Sequence, residues 1–336
     1  MSENYFLYAT GFNENGQLTL REKQIITYPQ KIEQFGEKKV ILIAPGYENV
    51  LYLLENNELQ QFGISNENHS KFFEDKSQIK NIKAGQDHFI VLTEDGSVYW
   101  WKAANSNSIY NESTTPKSPS LVLLNFPVKE IIAGGHSSYF LLENGDLFGL
   151  GANNQHQISS QEKQFFDEPI LISSNVERAF SGCYSHQVFF IKSNKKLYCR
   201  GYNQYGQLGT GNTKNQQKDF HLKFFRNQNI VDISCGYCHT LIWIDSGKTQ
   251  SIYSAGYMEY NGLNQDSHST KFKRLLKYQD KRIIQISSGS QFSYILIPNN
   301  EFIVFGWNDD GQLGTRDNVN IKQPKNNKLS RIPKTY

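Results

Sequence analysis

The chain has 336 residues, 38% of them hydrophobic and 13% aromatic, enough for one large repeat array with a sizeable Phe- and Tyr-rich core. Thirty-five Lys and Arg residues against 32 acidic ones leave a net charge of +3, too even a balance for the basic stripe of a nucleic-acid binder. No window approaches the roughly eighteen consecutive apolar residues of a membrane-spanning helix.

In chain order, seven short β-rich runs recur: YFLYATG to Gly11, ELQQFG to Gly63, SVYWWK to Lys102, DLFGLG to Gly151, KLYCRG to Gly201, SIYSAG to Gly256 and EFIVFG to Gly306. Their spacings are 52, 39, 49, 50, 55 and 50 residues, the mark of an internal repeat. Within each interval an Ile/Val run leads to a small residue and Gly, then to a second apolar run and a polar turn. The turns at Asn56-Asn57, Asp95-Gly96, Asn144-Gly145 and Asn299-Asn300 tolerate positive φ, as tight hairpins require. β-branched and aromatic flanks make these hairpins. A weaker fourth strand is expected near Pro29, Pro119 or Pro169. Four-stranded units repeated in a ring predict an all-β chain folded as a single β-propeller over residues 1–336.

The loop after each run is sharpest in GYNQYGQLGTG from Gly201 and GWNDDGQLGT from Gly306, with an earlier copy, GFNENGQLTL, from Gly11. It is worn at Gly151 and Gly256 and almost lost at Gly63 and Lys102. Followed by a small-Gly-x-x-His segment and a D/N-G turn, this loop resembles the regulator of chromosome condensation repeat. The resemblance covers about Tyr5 to Thr315 and implies a propeller, usually of seven blades. Six complete strand sets predict seven positions with the last incomplete, closed by the N-terminal strand 5–10 with the C-terminal segment 307–336. A six-bladed ring is the alternative.

Local chemistry assigns structural roles to most repeat residues. Gly206 and Gly311 are expected to supply positive φ or close backbone approach. The Gln-Leu pair places Leu between blades, with Gln bonding loop backbone. The small residues before Gly85, Gly134, Gly182, Gly236 and Gly289 suit a crowded inner strand. Trp100 and Trp101, adjacent in one strand, are expected to face opposite sides, both between blades.

Cys235-Gly236-Tyr237-Cys238-His239 matches the C-x-x-C-H attachment signature of c-type haem. Set against the other repeats it dissolves: His239 stands eight residues before Gly247, as His88 does before Gly96, and Cys235 fills the small-residue slot of Ala84, Ala133, Ser181 and Ser288. A zinc site needs a second cysteine pair, and Cys183 and Cys199 stand sixteen apart. His88, His136, His186 and His239 recur once per blade near one slot and are read as packing or bonding backbone near the axis. No hydrolase, zinc-protease or phosphate-loop signature is present. The expectation is therefore no catalytic residue, no cofactor and no metal.

Four cysteines are too few for a disulfide framework, so a reducing compartment is the simplest reading. The start MSENYFLYATGF shows no leader, which points to the cytoplasm. The sequons at Asn68 and Asn111 then carry little weight. The Asn-, Lys- and Ile-rich composition is compatible with a cytoskeletal or ciliary complex of a protist.

The resemblance also brings the family's founding activity, nucleotide exchange on the small GTPase Ran with chromatin binding through a basic tail. The tail is missing from this sequence and no interval is enlarged to hold the family's exchange hairpin, which disfavours Ran. The expected function is a non-enzymatic protein–protein interaction scaffold, a subunit of a larger assembly. The alternative is an exchange factor or regulator of another small GTPase. Candidate contact residues are Tyr202, Tyr205, Trp307, Asp309 and Asp310, aromatic and acidic positions in the repeat loops. The polar stretch Asn105–Ser120 reads as a surface loop.

Overall fold

The computed structural model describes residues 6–20, 24–103, 116–257, 259–263, 267–279, 283–299 and 301–328. Six four-stranded antiparallel sheets and one two-stranded sheet account for its strands. Blade 1 holds Val40–Pro45, Asn49–Leu54, Leu59–Gly63 and Glu67–Asn68; blade 2 holds Ile79–Ala84, His88–Thr93, Val98–Lys102 and Ser120–Leu121. Blade 3 is Val128–Ala133, Ser137–Leu142, Leu147–Ala152 and Phe165–Ser173; blade 4 is Val176–Phe180, Gln187–Lys192, Leu197–Gly201 and Gln216–His221. Blade 5 is Ile230–Cys235, His239–Asp245, Gln250–Gly256 and Ser269–Tyr278; blade 6 is Gln285–Ser288, Phe292–Ile297, Glu301–Gly306 and Ile321–Lys328. In each blade the strands follow chain order from the inner to the outer edge.

The outer strands explain the prolines. Pro29, Pro169 and Pro324 lie in outer strands, where a missing N–H costs no ladder bond on the open side. The hairpin turns use positive φ where expected, at Asn56, Asn57, Gly96, Gly145 and Asn299; Asn300 lies outside the described residues.

Hydrophobic burial is concentrated between blades. Phe189, Leu208, Ile242 and Phe272 join blades 4 and 5, and Leu51, Ile82, Phe89 and Trp101 join blades 1 and 2. Trp100 packs with Phe140 in the next cluster around the ring, and its Nε1 donates to Ser138 Oγ at 3.0 Å. The adjacent tryptophans thus serve opposite faces of blade 2, both buried, as strand alternation dictates. Full burial of one such side chain contributes about 1.5–3 kcal/mol, so a ring of these interfaces holds the sheets together.

The seventh position is incomplete, as expected, but its strands pair differently. Tyr8–Gly11 pairs with Ile26–Lys31, not with the C-terminal segment, and Ile321–Lys328 completes blade 6 instead. The physical reason is competition for strand edges: Ile321–Lys328 takes the outer edge of blade 6 beside Glu301–Gly306, and Ile26–Lys31 takes the edge of Tyr8–Gly11. The two ends still meet. Thr10 Oγ1 donates to Gly311 O at 2.9 Å, and Arg316 N donates to Thr27 O at 2.8 Å. Thr19 Oγ1 lies 3.5 Å from Tyr52 Oη on the other side, so the two-stranded sheet stands between blades 6 and 1.

Candidate functional site

Antiparallel order puts two sets of connections on one end of the ring: the turns between first and second strands, and the long loops between third and fourth. The repeat loop builds itself around a buried asparagine. Asn203 Oδ1 accepts from Leu208 N at 2.9 Å, while Nδ2 donates to Asn212 O, Lys214 O and Thr210 Oγ1. Asn308 and Asn153 play the same part. Gln207 Oε1 accepts from Tyr205 N at 3.0 Å and its Nε2 donates to Tyr237 O, while Leu208 is buried between blades. Gly201 has φ +102° and Gly206 φ +80°, both in the left-handed half of the map that favours glycine.

The histidines fall into two registers one residue apart, not one slot. His88 and His239 open the second strands of their blades and face the neighbouring blade, where Nε2 bonds Ser138 Oγ at 2.9 Å and Ser293 Oγ at 2.7 Å. Burial lowers the His239 pKa to about 4, so the ring is neutral. His136 and His186 stand one residue before that register, level with Asp87 and Cys238, on the loop face. Burial works against a charge on Asp87, but hydrogen bonds from His136, at 3.1 Å, and His88 hold its pKa at about 2. The His186 ring meets His136 at 5.5 Å, tilted by 33°, and burial, reinforced by His136, lowers its pKa to about 4.

From His186 a run of aromatic rings crosses blades 4 and 5. His186 touches Tyr237 at 5.9 Å, Tyr237 touches Tyr202 at 5.8 Å, Tyr202 touches Tyr205 at 6.0 Å, and Tyr205 meets Tyr257 at 5.4 Å. Tyr260 follows at 5.1 Å from Tyr257; burial and the nearby Glu259 push its hydroxyl up to about 12. The run borders the blade 6 loop, where Asp309 is exposed and Asp310 has its pKa raised by burial and by Asp309 and Glu14. Of the sequence candidates, Tyr205, Trp307 and Asp310 are half-buried and Asp309 exposed, whereas Tyr202 is only 7% exposed and acts as the support of the run. Tyr237, Tyr257 and Tyr260 were not singled out by the sequence; their common signal is Tyr at loop positions of adjacent repeats.

The haem-like motif is absorbed by packing. Cys235 is buried between blades 4 and 5, His239 bonds Ser293, and burial pushes the Cys238 thiol up to about 12. Cys183 is likewise raised to about 12 by burial. Among the described residues no group of three or more His, Cys, Asp or Glu side chains converges to hold a metal ion, and no helix is long and apolar enough to cross a membrane. Residues 104–115, with most of the polar loop and the Asn111 sequon, lie outside the described residues.

Six four-stranded antiparallel blades and a two-stranded sheet arranged in a ring make this an all-β propeller. The family model for the regulator of chromosome condensation (RCC1) repeat matches residues 6–53 and 195–243, so those two stretches are similar to that repeat. It is 23% identical to the ultraviolet-B receptor UVR8 of Arabidopsis thaliana, over 94% of this chain and 76% of that protein. It is 25% identical to the regulator of chromosome condensation of Xenopus laevis, over 74% of this chain and 63% of that one. It also matches the probable E3 ubiquitin-protein ligase HERC3 of Homo sapiens at 26%, but spans only 19% of its length. Among solved structures, yeast RCC1 (Prp20) bound to Kap60 superposes with a TM-score of 0.84 at 18% identity, covering 96% of this chain and 84% of that one. Human WBSCR16 superposes at 0.78, with 17% identity and 96% and 93% coverage. At these identities the structures share the fold.

Proposed function

We propose that this chain is a non-enzymatic protein–protein interaction scaffold, a subunit of a larger assembly that binds its partner on the loop face of blades 4 to 6. The observation that carries this reading is the aromatic run from His186 to Tyr260, bordered by exposed Asp309. Tyr side chains give large rigid contact area with hydrogen-bonding tips, the composition of binding hot spots. Backbone bonds tie the blades together around the axis: Tyr237 N donates to Ser290 O at 2.8 Å between blades 5 and 6, and Gln86 N to Gly135 O at 2.8 Å and Gly135 N to Ser185 O at 2.7 Å between blades 2, 3 and 4. The raised thiols and lowered histidines describe neutral, unreactive groups. A cytoplasmic setting, with a cytoskeletal or ciliary assembly as the context, belongs to the same proposal.

A second reading is regulation of a small GTPase. It is favoured by the likeness to Prp20p from Saccharomyces cerevisiae, whose structure was described with its binding to Gsp1p and histones. Against it, every strand among the described residues belongs to a blade or to the two-stranded sheet. Nucleotide release from a panel of small GTPases, measured at low micromolar propeller, separates the two. Unchanged release supports the scaffold; acceleration overturns it.

A further inference from the structure

Blade 4 carries a row of bases absent from the matching turns of blades 1, 2 and 3. Its second and third strands join at a tight turn where Lys192 N donates to Lys196 O at 3.1 Å, which sets the two lysines opposite each other. The same bond recurs between Leu54 and Glu58, Thr93 and Ser97, and Leu142 and Asp146. The turn itself therefore asks for no base at either position. Further out, Tyr198 pairs with His221, and Leu222 N donates to Leu197 O at 2.9 Å, which brings Lys223 level with Lys196. Lys192, Lys196 and Lys223 thus stand abreast at the ends of three adjacent strands, about 5 Å from one strand to the next. They lie on the side of the ring opposite the repeat loops.

One step inside the row is a stack of rings. Phe190 and Tyr198 lie 5.8 Å apart at 13°, and Tyr198 and His221 5.2 Å apart at 30°. Lys192 Nζ rests 4.9 Å from the centre of the Tyr198 ring and 3.6 Å from Asp219. That carboxylate is already committed, since it faces the buried Arg200 guanidinium at 3.5 Å and accepts from Ser173 Oγ at 3.1 Å. Lys196, Lys223 and Arg226 make no ion pair among the described residues. Burial first, then the charges of these same three bases, lower the pKa of His221. Like charges set directly opposite across a strand pair are destabilising. Lysines on an edge strand guard it against aggregation, which accounts for Lys273 and Lys277 on the outer strand of blade 5. Edge protection does not account for Lys192 and Lys196, which flank a turn between interior strands.

We infer that this row binds an acidic segment of a protein partner, a run of Asp and Glu side chains laid across blade 4. The charge complementarity is local: four bases stand against one shared carboxylate, in a chain whose net charge is only +3. Ammonium groups on long stems are point charges, suited to successive carboxylates more than to a planar fork on one group. Lys192 and Lys196 sit over the side of blade 4 that packs on blade 3 through Phe190 and Tyr198. An extended chain reaches into that cleft, and a flat bilayer surface does not. The inference rests on the scaffold reading only in taking the ligand to be a protein, and it uses the opposite face.

The test uses the 336-residue chain and a fluorescein-labelled octaglutamate peptide, followed by anisotropy. Binding is expected at low ionic strength and should weaken as salt is added. Lys196→Glu/Lys223→Glu should weaken it about tenfold or more. Lys273→Glu/Lys277→Glu makes the same change of net charge on blade 5 and should leave affinity within about twofold. No binding to the unaltered chain overturns the proposal, and so do equal losses in the two double variants. Lys196→Gln should weaken the peptide while the melting temperature holds or rises, because opposed like charges are relieved. A fall in melting temperature with the loss of binding would make the row structural and overturn the proposal. Phosphatidylserine vesicles bound through the same lysines, with the peptide unbound, would assign the row to a lipid surface instead. Tyr205→Ala should leave peptide affinity unchanged, so failure of the aromatic face and failure of this row are read separately.

Discussion

Tyr184 reaches across the ring to Tyr47. The two rings meet edge to face at 6.0 Å, and Tyr184 Oη donates to Gly46 O at 3.4 Å, although the residues belong to the inner turns of blades 4 and 1. Blades that are not neighbours touch only across the central axis, so this contact closes the loop-face end of the channel. Tyr47 is the exposed partner, and Tyr184 is buried enough that its hydroxyl is held well above the ordinary tyrosine range. Tyr184→Phe should leave stability almost unchanged, because the hydrogen bond is long. Tyr184→Ala should cost about 1–3 kcal/mol by thermal or urea unfolding, through lost ring burial and the edge-to-face contact.

The repeat glycines give a graded series. Cβ at Gly206 would stand 2.8 Å from Thr270 Cα, and at Gly311 2.7 Å from Thr27 Cα, both with positive φ. Gly247 also has positive φ, at +79°, but opens onto free space. Gly206→Val and Gly311→Val should each destabilise by about 3 kcal/mol or more, against about 1 kcal/mol for Gly247→Ala. Equal losses in urea unfolding at all three would remove close approach as the cause.

Much of the fold was legible because its signals are local. Turn glycines and asparagines, β-branched runs and a fifty-residue rhythm each report backbone geometry within a few residues. The seventh position was not legible, since whether Tyr8–Gly11 pairs with Ile26–Lys31 or with the C-terminal segment is decided by long-range competition for strand edges. The histidines misled for a related reason. A one-residue offset in a strand sends a side chain to the other face, so His88 and His136 look alike in sequence and point to different neighbours. The aromatic face joins residues from three repeats, and no single interval displays it. The loop asparagine was within reach: its recurrence at Asn13, Asn153, Asn203 and Asn308 was visible, but its bonds close only in three dimensions.

That asparagine is open to direct measurement. Asn203 is fully buried and its amide organises both ends of the blade 4 loop. Asn203→Ala leaves buried donors and acceptors without partners and should cost about 2–3 kcal/mol. Asn203→Asp should cost at least as much, since Nδ2 donates three bonds that a carboxylate oxygen cannot make. A neutral outcome for both in urea unfolding would show that the loop is held by its backbone alone.

Stability should fall on mild acidification. His239 and His186 have folded pKa values of about 4, lowered by burial from 6.5. The unfolded chain therefore binds more protons between those values, and stability declines as pH drops from about 6.5 toward 4. Each contributes at most on the order of 3 kcal/mol over that window. Asp87, held at about 2 by its histidine neighbours, keeps its charge throughout that window. His239→Gln should flatten the pH dependence of the melting temperature; an unchanged slope would mean that His239 does not set it.

The loop face of blades 4 to 6 is the proposed partner surface. Hydrogen exchange on the chain purified with its endogenous partner, compared with the chain alone, measures this most directly. Protection at residues 202–211, 257–263 and 307–314, lost with Tyr205→Ala, is the predicted result. Protection confined to the opposite face, at the turns around Asn144, Asn194 and Ser246, would contradict it.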